Sequence, residues 1–343
     1  HNNNKGLVRV YEWKNNAWNK LGSDINGEVA ADFFGTSISL SADGKIVAIS
    51  APWNNTQSGY VSVYEYNGSI WNKMGTNIDG EAQNDYFGGS ISLSGDGTIL
   101  AISSIWHNSA TGYVRVFKYN GSSWNQLGLN IDGEADSDFF GTSISLSADG
   151  TILAIGAPDN GTNADYSGCI YVYKWDGNSW NIMGSRLYGN YWSEKLGTCV
   201  SLSSNGLRLA IGARLVKRKG YVYVYEWLNN EWTRIGNDLS ADLSTASSSF
   251  GKYIDFNNDG TILVIGSSGH GYNGINSGAA HIYKWINNNW KQIGENIHGD
   301  AAGDETGFSV SLNSKGNILS IGSRLVDTTN GTNSGCVRTY EII

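Results

Sequence analysis

The chain has 343 residues, a formal net charge of −8, and 45 glycines against 2 prolines. The acidic balance repels phosphate backbones and argues against nucleic acid as a partner. No apolar run reaches the roughly 18 residues of a membrane helix, so no helical span is expected.

Read from the N-terminus, the sequence repeats. A strand-opening glycine followed by alternating apolar residues stands at Gly6, Gly59, Gly112, Gly168, Gly220, Gly278 and Gly335. The spacings are 53, 53, 56, 52, 58 and 57 residues. Such a period means one supersecondary unit repeated as an array. One domain over residues 1–343 is therefore expected, with a partial repeat from residue 335, although length alone suggests two or three domains.

The chain opens mid-unit, with two strands over Leu7 to Leu21. Its second unit shows the full pattern. Phe87 to Ser94 alternates with period 2 and is strand A. Asp96-Gly97 is a tight hairpin signal. Ile99 to Ile102 is a short continuous apolar run, strand B, suited to burial on both faces. Ser103 to Thr111 varies between units. Gly112 to Tyr119 alternates again as strand C, and Gly121-Ser122 turns the chain into strand D, Trp124 to Gly128. The A–B turns recur at Asp43-Gly44, Asp149-Gly150, Asn205-Gly206, Asp259-Gly260 and Lys315-Gly316, where glycine tolerates the positive φ required. The C–D turns set aromatics opposite each other: Trp13 and Trp18, Tyr66 and Trp71, Tyr119 and Trp124, Trp175 and Trp180, Trp227 and Trp232, Trp285 and Trp290. Each pair stabilises its hairpin by roughly 0.2–1 kcal/mol. Because they recur in one slot, they read as packing rather than as sugar platforms.

Four antiparallel strands per unit in radial repetition make an all-β fold, a β-propeller. Strand A opens six times, at Phe34, Phe87, Phe140, Leu196, Phe250 and Thr306, which predicts six blades, with seven as the alternative. The chain ends on A, B and a seventh C, Gly335 to Ile342. Closure is expected through the N-terminal C and D strands joining the C-terminal A and B strands. The surplus strand is then free to pair with a neighbour.

Asp138-Phe139-Phe140-Gly141-Thr142-Ser143-Ile144-Ser145-Leu146, followed by Leu153 to Pro158, resembles the FG-GAP repeat. That repeat builds the propeller of integrin α subunits and of many secreted microbial proteins. Phe-Gly returns at Phe34-Gly35, Phe87-Gly88 and Phe250-Gly251, and weakens to Leu196-Gly197 and Thr306-Gly307. The resemblance implies a propeller and a secreted or cell-surface setting. Integrin-type blades carry a calcium loop between A and B. Here that loop is short, as in Ser41 to Lys45, and cannot supply six to eight oxygens, so that site is not carried over.

Other features bear on setting and site. Cys169, Cys199 and Cys336 form an odd set, so buried free thiols are expected. A first residue that is His1, not Met, suggests a processed chain. Sequons at Asn54, Asn67, Asn120, Asn160 and Asn330 fit secretion. The basic run Arg214 to Lys219 reads as a solvated loop.

Function is expected on the face that carries the longer, varied D–A and B–C loops. The B–C loops offer Trp53, Trp106, His107, Tyr166, Arg214, His270, Tyr272 and Arg324 as ligand contacts. The D–A loops carry Glu28 with Asp32, Glu81 with Asp85, Glu134 with Asp138, and Asp300 with Asp304. Those pairs read either as loop caps or as calcium sites; no cofactor is required. Catalysis has little support. His1, His107, His270, His281 and His298 show no metal-ligand spacing, and no nucleophile elbow or phosphate loop occurs. The sequence therefore points to a non-catalytic extracellular binding or adhesion propeller engaging a glycan or a protein. A structural protomer joined to its own copies by the surplus strand is the second expectation, and a hydrolase the third.

Overall fold

Alternation along Ser90 to Leu93 places Ile91 and Leu93 on one face, and the ladder follows. Strand Ile91–Leu93 pairs antiparallel with Ile99–Ser104, setting Ile91 opposite Ile102 and Leu93 opposite Leu100. Ile99–Ser104 pairs in turn with Tyr113–Tyr119, and that strand with Trp124–Gln126. This is the A-B-C-D order read from the sequence. A computed structural model describes residues 5–54, 57–216, 219–240 and 249–342. Lys217 and Arg218 of the basic run, and Ser244 and Ser248, which stand in the fifth unit where other D–A loops carry carboxylates, lie outside the described residues.

The same sheet recurs along the chain. Strand A is Ile38–Leu40, Ile91–Leu93, Ser143–Leu146, Leu196–Leu202, Tyr253–Phe256 and Thr306–Leu312 in six successive blades. Five of these sheets continue A-B-C-D; the sixth, Thr306–Leu312, Ile318–Ser323 and Cys336–Glu341, has three strands. The fold is an all-β propeller of six blades. Its third place in the sixth blade is filled by Cys336–Glu341, and the N-terminal hairpin Tyr11–Lys14 with Ala17–Lys20 forms a two-stranded sheet of its own. By its contacts the chain divides into two compact units, His1–Ile152 with Trp175–Asn181 and Leu153–Lys174 with Ile182–Ile343.

Each of the first five blades also holds a strand that the sequence reading missed. Ile78–Asp79 and Ile131–Asp132 pair with the opening of strand C in their blades. Two residues are too few for a periodic signal; the recurring Ile-Asp-Gly was the available clue.

The core lies in strand B. Leu100, Ala101 and Ile102 are all at 0% exposure, as expected of an apolar run between two neighbouring blades. Burying each large side chain contributes about 1.5–3 kcal/mol.

Three kinds of contact join blade to blade. First, the strand D tryptophan donates its indole N–H to the carbonyl that ends the preceding strand D: Trp71 to Leu21 at 2.8 Å, Trp124 to Met74 at 2.9 Å, Trp180 to Leu127 at 3.0 Å and Trp232 to Met183 at 3.0 Å. Second, the strand-opening glycine lies against the first residue of the next strand A. A Cβ on Gly59 would sit 2.1 Å from the Phe87 carbonyl oxygen, which no substitution can accommodate. Third, a strand A hydroxyl accepts a backbone N–H from the next strand A: Ser39 from Leu93 at 3.0 Å, Ser92 from Leu146 at 2.9 Å and Ser201 from Phe256 at 3.2 Å. In the fifth blade a carboxylate does this work. Asp255 accepts from Leu312 N at 2.8 Å and from the Ser311 hydroxyl at 3.1 Å. Burial pushes the Asp255 carboxyl up to about 6, against its two hydrogen bonds.

The six aromatic hairpin pairs are all in place, with ring centroids 5.2–5.5 Å apart. The cysteines are free; Cys169 is buried, whereas Cys199 and Cys336 are half-buried. Asn160 is 2% exposed and its side-chain oxygen accepts from Thr162 N. That corrects its reading as a glycan acceptor, because the folded chain offers no room for a sugar there. Asn67, Asn120 and Asn330 are exposed.

Two expectations follow. Gly59→Ala should cost more than about 3 kcal/mol in urea unfolding, since backbone must move. Gly68→Ala, also at positive φ but with nothing within 4 Å of a new Cβ, should cost only about 1–2 kcal/mol. Asp255→Ser restores the hydroxyl of other blades. The Asp255 carboxyl has a folded range raised above its unfolded one, so its contribution is present below about pH 4 and lost as pH rises through about 6. The substitution should therefore stabilise the protein by about 1–2 kcal/mol at pH 7.5 and by little at pH 4, after discounting for partial exposure; melting curves at the two pH values check it.

Candidate binding site: an aromatic ridge and a charged rim

The turn into strand A has an unusual backbone. The residue before each Phe-Gly position is left-handed: Phe33 at φ 51°, Tyr86 at 52°, Phe139 at 53°, Lys195 at 53°, Ser249 at 50° and Glu305 at 53°. Backbone bonds hold several of these in place, Tyr86 N to Gln57 O at 2.9 Å and Phe139 N to Ala110 O at 3.0 Å among them. Glycine would take this conformation without the cost of about 1–2 kcal/mol that a side chain incurs. The side chains here serve something other than the turn.

In the first three blades they are aromatic, and the B–C loops supply more rings between them. Phe33 meets Trp53 at 6.1 Å, Trp53 meets Tyr86 at 4.7 Å, Tyr86 meets Trp106 at 6.2 Å, and Trp106 meets Phe139 at 5.1 Å. Five rings thus run as one ridge, crossing at 56–87°. Phe33 and Trp53 are each 46% exposed and Trp106 is 50% exposed. The sequence reading named Trp53 and Trp106 and missed the other three. The doublets Phe33-Phe34, Tyr86-Phe87 and Phe139-Phe140 were visible, but only the left-handed φ sends the first ring out while the second goes to the core.

Further along the chain some of the matching positions are charged. Asp159 stands where Trp53 and Trp106 stand, and Lys195 stands where Phe139 stands. They form an ion pair at 2.9 Å, with the Lys195 ammonium 5.6 Å from the ring of exposed Tyr166. Further on, Glu305 pairs with Arg324 at 2.7 Å.

Below the rim, the D–A carboxylates close the loops. Asp85 accepts from Ala82 N at 3.1 Å and from the Tyr113 hydroxyl at 3.3 Å, and meets His107 Nδ1 at 3.0 Å. Asp32 accepts from Val29 N and the Tyr60 hydroxyl, both at 2.9 Å. Glu194 takes the Asp place in the fourth blade, accepting from Asn190 N, Tyr191 N and the Tyr223 hydroxyl. Burial beside these carboxylates pushes the Tyr113 hydroxyl up to about 12. The outer carboxylates turn elsewhere: Glu28 to Lys73 and Asn77, Glu81 to Asn130 and Arg115, Asp300 to Arg338. Asp304 accepts from Asp300 N and Ala301 N. Glu134 and buried Asp138 belong to the same series. The two carboxylates of a loop thus serve separate partners. Among the described residues no three His, Cys, Asp or Glu side chains gather as a metal site would need.

Two of the other expected ligand contacts face inward. His270 is 4% exposed. His107 lies edge-on to Tyr113 at 4.7 Å as well as against Asp85. His270 is corrected to a packing residue, while His107 is half-buried. His270, His281 and His298 come together in the fifth blade, with centroids 5.3–6.0 Å apart, and exposed Tyr272 stacks on His298 at 4.2 Å. Their sequence separation hid this. Burial lowers the His298 range.

Residues 131–173 match the family model described as FG-GAP repeat. No curated protein matches the sequence. Solved structures that share the fold include hydrazine synthase of Kuenenia stuttgartiensis, at TM-score 0.58 and 13% identity over 84% of this chain and 74% of that one. Two candidate 6-phosphogluconolactonases match as well. That of Bacteroides uniformis has TM-score 0.59 and 12% identity over 93% of both chains. That of Bacteroides fragilis has TM-score 0.59 and 14% identity over 98% of this chain and 93% of its own. At such identities the likeness is one of fold and leaves chemistry open.

If Asp85 caps its loop, Asp85→Ala strands Ala82 N and the Tyr113 hydroxyl and should cost about 2–4 kcal/mol. Millimolar calcium should leave the melting point of the unsubstituted protein unchanged; a calcium-dependent rise that Asp85→Ala abolishes would restore the cation reading.

Proposed function

We propose that this FG-GAP-like β-propeller is a non-catalytic extracellular binding protein that holds a neutral glycan chain along the ridge from Phe33 to Phe139. The observation that carries this is the row of five half-exposed rings on turns whose backbone favours glycine. Ring faces take the apolar faces of sugars, and rings fixed by a backbone turn and by each other lose little entropy on binding. Hydrogen-bonding groups lie alongside: the Gln57 amide already bonds the Tyr86 hydroxyl at 2.8 Å. Crossed rather than stacked rings suit a chain of sugars better than one flat ligand.

A second reading rests on strand Cys336–Glu341. It pairs with Ile318–Ser323, and among the described residues no strand occupies its other edge. Its Val337 is 73% exposed. An open edge of this kind favours β-augmentation by another chain, including a copy of this one.

The full chain on an array of neutral glycans should bind a discrete set. Trp53→Ala with Trp106→Ala should weaken that binding at least tenfold, about 1.4 kcal/mol, without loss of the fold. Binding that survives both substitutions would overturn the site. An array with no neutral ligand, beside concentration-dependent self-association lost on Val337→Pro, would favour the second reading.

A further inference from the structure

The position after the Phe-Gly glycine has a structural occupant in three blades. Thr36, Thr142 and Thr198 each donate a hydroxyl to the carbonyl three residues back, at 2.7, 2.7 and 2.8 Å. This closes the turn into strand A. The fifth and sixth blades give up that bond: Lys252 and Phe308 stand there instead. A second position changes with it. Where strand B leaves for its loop, three blades have Pro52, Ile105 and Pro158, whereas Arg214 and Arg324 stand in the fourth and sixth.

These exchanges bring charge together. Arg324 lies over the Phe308 ring at 4.2 Å. The Lys252 ammonium is 5.3 Å from the Tyr253 ring and 5.2 Å from that of Phe308. The two rings pack at 5.0 Å. Arg214 and Arg324 both repel Lys252, and Glu305 is the carboxylate that offsets them. Glu305 is engaged by Arg324. Among the described residues, Lys252 has no ion-pair or hydrogen-bond partner for its ammonium. Burial and the two arginines together lower its range.

A half-buried ammonium with no such partner, sharing the Phe308 ring with a guanidinium, is an arrangement that folding alone disfavours. It stands on a chain of net charge −8, so it does not follow from general basicity. Lys252 and Arg324 set two cations against one carboxylate, Glu305, with the Phe308 ring holding both in place. Arginine forks and a lysine point charge are suited to the oxygens of an oxyanion.

We propose that Lys252 and Arg324, which share the Phe308 ring, form an anion site that binds a small oxyanion group: a carboxylate, sulfate or phosphate. The ligand supplies the acceptor that Lys252 lacks and relieves the repulsion between the two cations. This inference does not depend on the glycan reading.

The test titrates the full chain with inorganic sulfate, inorganic phosphate and glucuronate by calorimetry, at constant ionic strength set with chloride. At least one should bind, and the strongest identifies the class: glucuronate for a carboxylate, the others for tetrahedral anions. Lys252→Thr restores the residue of three other blades, so the fold should persist and its melting point should hold or rise. Its affinity for the chosen anion should fall at least tenfold, as should that of Arg324→Gln. No binding by the unsubstituted protein, or equal binding by folded Lys252→Thr, would overturn the proposal.

Discussion

The structure depends on the seam between successive blades, and above all on the indole bond that crosses it. Trp71, Trp124, Trp180 and Trp232 of strand D each donate to the carbonyl that ends the strand D before it. The Trp290 indole N–H is buried without a partner among the described residues, and there the Asn237 side chain accepts from Trp290 N instead. The indole bond is worth about 0.5–1.5 kcal/mol; its larger effect is on register. It forces the next hairpin to lie where its aromatic pair covers the residue after that carbonyl. That residue is Gly128 or Gly184, where a Cβ would stand 2.9 or 2.6 Å from the tryptophan of the following C strand. The aromatic pair, the glycine and the period of 53 residues are therefore one constraint.

A seam that carries the fold leaves the rim free to vary. The rim positions share a backbone, with φ between 50° and 53°, yet hold Phe, Tyr, Phe, Lys, Ser and Glu. In the early blades this yields a ridge of rings; in the late ones it yields ion pairs and a cluster of cations. The seam drifts as well, as where Asp255 takes the place of a serine, but without losing the bond that crosses it there. At the rim, threonine at three blades and lysine at a fourth, in one backbone slot, is the clearest instance.

Much of the fold was legible because its determinants are local. Asp96-Gly97 and the Tyr119–Trp124 spacing fix hairpins within a few residues, and six Phe-Gly-type openings count the blades. The caps were half legible: Asp85 recurs at the right distance, but its partners, His107 and Tyr113, lie 22 and 28 residues away. The site was less so. Trp53 and Trp106 could be named as exposed rings on varied loops. That Phe33, Tyr86 and Phe139 join them follows from a left-handed φ, which no side-chain pattern encodes. The cluster of Lys252 and Arg324 was hidden for another reason: 72 residues part them, and only blade packing makes them neighbours. His270 misled because its loop is variable while its ring is buried.

The central claim is that seam residues make the fold and rim residues do not. Tyr86→Gly tests it most directly, because Tyr86 sits mid-ridge, touches both tryptophans and occupies a glycine conformation. In urea unfolding, the account predicts a stability within about 1 kcal/mol of the unsubstituted protein, relief of backbone strain offsetting lost ring contacts. A loss above about 3 kcal/mol would place the ridge in the folding core and contradict it.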